Sequence, residues 1–115
     1  MTSLIKGRQF QLWEYHVSHG SLLLRSPEGL GQRGTVDIVC TGVQYIAAPR
    51  HLGEIIEVAG AREEEIAHVE KILGKKIQLP EQVYVLESER GRFPLVAVSL
   101  SIQEHRGSLF KSPLC

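Results

Sequence analysis

Trp13-Glu14-Tyr15-His16-Val17-Ser18-His19-Gly20-Ser21-Leu22-Leu23-Leu24-Arg25 is the stretch on which the fold turns. Trp13, Tyr15 and Val17 alternate with Glu14, His16 and Ser18, the period-two signature of a half-buried strand. His19-Gly20 then supplies a two-residue turn, because glycine accepts positive φ without steric cost. Folding about that turn sets Val17 against Leu22, Tyr15 against Leu24 and Glu14 against Arg25. The expectation is a hairpin with one apolar face, on which Trp13 packs into the core. Leu23 is then left for a contact surface if the far face is uncovered.

Working outward, Ser26-Pro27-Glu28-Gly29 through Gly34 is rich in turn formers and reads as an exposed loop. Thr35 to Ala48 is β-rich, with Gly42 marking a bend or bulge. Pro49-Arg50-His51-Leu52-Gly53 breaks it, and Glu54 to Ala59 resumes as a short strand. The period changes to helical over Ala61 to Leu73, where Ile66, Val69, Ile72 and Leu73 share a stripe. Glu63, Glu64 and Glu65 sit where a helix dipole favours anions, Lys71, Lys75 and Lys76 cluster near the other end, and Gly74 follows as a stop. A second ribbon spans Gln82 to Gln103. A turn at Arg90-Gly91 would oppose Leu86 to Leu95 and Val85 to Val96, giving two apolar faces and a place at the centre of the sheet. Pro94 belongs at a strand start or beside an edge, and the charged run Glu87 to Arg92 reads as a solvated tip.

These elements predict one domain over residues 1–115, of class α+β: a mainly antiparallel, strongly curled β-sheet, or small barrel, with one α-helix packed on it. Thirteen basic residues balance thirteen acidic ones, so the excess that neutralises phosphates is missing and no nucleic-acid partner is expected. No run approaches the roughly 18 apolar residues of a membrane helix, so no membrane partner is expected and the default location is the cytoplasm. Of the two cysteines, Cys40 lies in an apolar strand-like run as a small buried hydrophobe, and Cys115 is the last residue. A structural disulfide between them is not expected.

The histidines are scattered. His16 and His19 have an H-x-x-H spacing, but residues three apart on a strand point to opposite faces, so no metal site is expected and no cofactor is implied. His68, one helical turn after Glu64, reads as a surface partner for it. The loop around Arg50 and His51 is the candidate ligand site, with His16 as a further member. Arginine grips carboxylate or phosphate through two nitrogens, and histidine titrates near neutral pH. No paired carboxylates, nucleophile motif or glycine-rich phosphate cradle accompany them, which leaves catalytic residues unassigned and enzyme activity open.

Trp13 to Gly20, Leu22 to Pro27, Tyr45 to Arg50 and the tail Phe110-Lys111-Ser112-Pro113 together resemble a family of small bacterial proteins without an assigned activity. The resemblance implies a bacterial, cytosolic origin and carries no mechanism. The functional expectation is a β-rich interaction module that self-associates, as a two-fold dimer across sheet surface or edge, or engages another protein. The alternative is a small-molecule or anion-binding protein, or an enzyme, using the Arg50/His51 loop.

Overall fold

The structure, a computed structural model, describes Ile5, residues 7–27, Gly29 and residues 34–105. Among these residues lie eight strands and one eleven-residue helix: β1 (Gln9–His16), β2 (Ser21–Ser26), β3 (Thr35–Thr41), β4 (Tyr45–Ile46), β5 (His51–Gly60), α1 (Glu63–Leu73), β6 (Gln82–Ser88), β7 (Gly91–Ala97) and β8 (Ser99–His105). Every ladder is antiparallel, and the strand order is β4-β7-β6-β5-β1-β2-β3-β8. The α+β class and the antiparallel sheet are thus as expected. Most of the loop from Ser26 to Gly34, the tail from Phe110 to Pro113, and Cys115 lie outside the described residues.

The expected strong curl or barrel is corrected. No ladder joins β4 to β8, so the order has two ends, and the sheet turns at corners instead of curling continuously. At one corner the chain bends between β3 and β4 at Gly42, and between β7 and β8 at Val98. The Val98 N–H donates to Thr41 O (2.9 Å) and the Gln44 N–H to Val96 O (2.8 Å), so the two bends hold each other. Gly42 has φ +63°, and a Cβ there would lie 2.6 Å from Val98 Cγ2. Only glycine satisfies both conditions.

At the other corner β5 pairs with β1 through His51 to Glu54 and with β6 through Ile55 to Gly60. Here the expected break at Pro49 to Gly53 is corrected, since β5 begins at His51. Gly53 is not a terminator. Its φ of +79° sits opposite Phe10, where the β1–β5 register shifts, so it carries the strand through a bulge.

Both hairpins form with their registers displaced. The first has a four-residue loop over Val17 to Gly20, pairing His16 with Ser21 and Tyr15 with Leu22, so Val17 is exposed and Glu14 faces Leu23, not Arg25. In the second, Ser88 pairs with Gly91, Leu86 with Phe93 and Val85 with Pro94. Pro94 lies beside the short edge strand β4, as expected for a residue without an N–H. The tip is not simply solvated: the Glu89 N–H donates to Glu54 O (3.1 Å) and Arg90 Nη1 to His51 O (2.8 Å).

One core lies between the two parts of the sheet. Leu22, Leu24, Ile38 and Cys40 meet Leu86, Leu95 and Ala97 there, with Phe10, Leu52 and Ile55 from the β1–β5 region. Burial pushes the Cys40 thiol up to about 12, the behaviour of an inert hydrophobe. α1 covers the opposite side of β6–β7. Val85 and Val96 alternate away from the core yet are fully buried, as is Val69. Arg92, on that same side, bonds Glu65 in the first turn of α1 (2.9 Å from each of two nitrogens) and Glu87 (2.5 Å). Of the expected stripe Val69 is buried, Ile66 and Leu73 are half-buried, and Ile72 is exposed. The second ribbon does not hold the centre of the sheet. It lies between β4 and β5, and the strands buried almost throughout are β2 and β3. No helix among the described residues is long and apolar enough to cross a membrane.

Candidate functional site

A sheet folded at two corners leaves its remaining sides open, and each open side fronts a cleft. Beside β4 the cleft has a volume of about 690 Å³, within the usual range for small-molecule sites. Its base is the core itself, through Leu12, Leu22, Val43 and Ile46. Three aromatic residues, Trp13, Tyr15 and Tyr45, also line it, and its polar members are Glu14, Gln44 and Arg50. Beside β8 lies a smaller cleft of about 340 Å³, lined by uncharged residues including Ile5, Val58, Tyr84, Leu100 and Ile102.

Local structure explains how the aromatic lining arises. The β1–β2 register runs from Leu12↔Leu24 directly to Glu14↔Leu23, which makes Trp13 the extra residue of a bulge. A bulge re-aims its side chain, so Trp13 leaves the core and is 39% exposed. Its ring stacks on the Arg25 guanidinium, whose central carbon is 5.3 Å from the ring centroid. Arg25 is fixed in turn by Asp37 across the β2–β3 ladder, with Nε–Oδ1 of 2.7 Å and Nη2–Oδ2 of 2.9 Å, and both residues are fully buried. Tyr15, opposite the core residue Leu22, is 47% exposed. The loop at the tip of the first hairpin is tied down where the Val43 N–H donates to Gly20 O (2.9 Å), bringing β1 and the β4 segment to one cleft.

The expected site residues separate. Arg50 lines the large cleft, and its carbonyl accepts from the Leu12 N–H (2.8 Å). His51 is exposed at the start of β5 opposite Gln11 and does not line the cleft. His16 also lies outside the lining; its Nε2 bonds Glu14 Oε2. The Arg50–His51–His16 set is therefore not one site: alternation along the strands parts neighbours, and only Arg50 joins the aromatic residues. Among the described residues no three His, Cys, Asp or Glu side chains are placed to hold a metal ion.

Trp13, expected in the core, lines the cleft instead, together with Tyr15 and Tyr45, for which the sequence carries no cleft signal. Leu23, a contact residue only if the far face of the ribbon were uncovered, is completely buried. One signal was present for the Arg25–Asp37 pair: each is the lone charge in an apolar run, Leu22 to Arg25 and Val36 to Val39. Compared with protein-family models, curated proteins and solved structures, the chain finds no match, so the site is read from its own geometry.

Proposed function

We propose that this chain is a small binding module that holds an apolar, aromatic-sized ligand in the cleft beside β4. The observation that carries this reading is the exposure of Trp13 and Tyr15 beside a cavity whose base is the hydrophobic core. Large aromatic side chains contribute most when their area leaves water, at about 25 cal/mol per Å², and these two remain substantially wet. A ligand filling the cleft covers them and gains that area, while the Arg25–Asp37 pair holds the Trp13 ring in place before binding. The test is titration with N-phenyl-1-naphthylamine, a neutral dye that brightens in apolar surroundings. Saturable binding to the parent, weakened at least fivefold by Tyr45→Ala, supports the reading. Unsaturable binding, or binding indifferent to Tyr45, overturns it.

Self-association is a second reading, favoured by one feature. β8 makes a seven-residue ladder with β3 on one side and pairs with no described strand on the other. Such an edge is a template for a second chain. Light scattering separates the outcomes: a mass near twice 12.8 kDa supports a dimer, and 12.8 kDa well above micromolar concentration excludes it.

A further inference from the structure

We infer that the ligand of the β4 cleft is an organic anion, its apolar body against the aromatic lining and its single oxyanion on Arg50. This rests on the cleft-binding reading and adds the ligand's charge. The guanidinium groups of the described residues are mostly engaged. Arg8 donates to Ser26 and to Gly34 O, Arg25 to Asp37, Arg90 to His51 O, and Arg92 to Glu65, Glu87 and Gly60 O. Arg50 and Arg62 are the two whose guanidinium makes no hydrogen bond or ion pair with any described residue, and Arg62 lies exposed beside Glu65 at the start of α1. Only Arg50 lines the cleft, where it is the one cationic side chain among the described residues.

Glu14, the one carboxylate among the described residues of the cleft, is engaged by His16. An incoming oxyanion therefore meets a planar fork of N–H donors whose charge no described carboxylate has taken up, beside an aromatic surface that lowers the local dielectric. Gln44 adds an amide to the same lining. The other two candidate places lack this combination. The cleft beside β8 is uncharged, and the lysines near the end of α1 are exposed, with Lys75 on Glu81 (3.1 Å) and Lys76 near Glu70 (3.9 Å).

Two dyes with the same skeleton test the inference, because 8-anilinonaphthalene-1-sulfonate is N-phenyl-1-naphthylamine with a sulfonate added. Both are titrated into the full chain and into Arg50→Gln, with melting curves confirming that the variant is folded. The expected result is that the sulfonate dye binds the parent at least about tenfold more tightly than the neutral one, the scale of one charge-assisted hydrogen-bonded contact. Arg50→Gln should remove most of that difference, read as the ratio of the two dyes' affinities for the same protein. If the neutral dye binds and the sulfonate dye ignores Arg50, the anion inference is overturned and the cleft reading stands. If neither dye binds, both fall.

Discussion

The β2–β3 ribbon and the cleft corner, where β1 and β4 face one another across the large cleft, have opposite fates. In the ribbon, alternation has lost its usual meaning: Leu22 and Leu24 face the core, Leu23 and Val39 face away from it, and all are buried. Even its two charges are fully buried, because Arg25 and Asp37 meet directly across the ladder. At the corner, one extra residue in β1 and a two-residue β4 leave Trp13 and Tyr15 partly in water. The difference teaches that pairing geometry, more than side-chain hydrophobicity, decided which apolar groups this chain buries and which it holds in reserve.

Breaking the ribbon should have the largest effect. Asp37→Ala removes the carboxylate that Arg25 bonds through two nitrogens, and we expect a loss of about 3–5 kcal/mol in denaturant unfolding. A loss below 1 kcal/mol would mean the ribbon's charges are not its anchor. Gly42→Ala acts where the ribbon's β3 bends into the corner's β4, adding a Cβ 2.6 Å from Val98 at positive φ; about 1–3 kcal/mol is expected.

A smaller effect appears under α1. Hydrogen bonds from Arg92 hold the Glu65 carboxyl at about 2, well below its unfolded value of about 4.3. The folded pKa is depressed, so this stabilisation is complete above the unfolded value and is lost as pH falls towards 2. Glu65→Gln should therefore lower the Tm at pH 6–7, and the gap to the parent should close between roughly pH 4.3 and pH 2. Smallest of all, Arg50→Gln should change unfolding free energy by less than about 0.5 kcal/mol, since an exposed side chain with no partner among the described residues is removed. That contrast with Asp37→Ala sharpens the comparison between a residue that stabilises and one available to a ligand.

How far the sequence could be read follows from the same geometry. The faces of both hairpins were legible although their registers were not. Tyr15 was matched with Leu24 instead of Leu22, and Leu86 with Leu95 instead of Phe93, each an error of two. A shift of two leaves every side chain on its own face, so alternation survives the mistake. The helix was legible from its stripe, its acidic first turn and Gly74, whose N–H closes onto Glu70 O (2.8 Å). The bulge at Trp13 was not legible, because an inserted residue leaves no trace in composition and is fixed only by the partner strand. Arg50 stands out by its residue type, and Tyr45 lies close to it in the chain, whereas Trp13 and Tyr15 arrive through β1 from about three dozen positions away.

Trp13 is the only tryptophan, so its indole N–H gives a single, isolated signal in a two-dimensional ¹H–¹⁵N spectrum. Titrating N-phenyl-1-naphthylamine into the labelled chain tests the central claim most directly. The account predicts that the indole signal moves progressively and saturates, together with the backbone signals of Leu22, Val43 and Ile46, while those of Val58, Tyr84 and Ile102 stay in place. An unmoved indole signal, with shifts gathered instead at Tyr84 and Ile102, would contradict it.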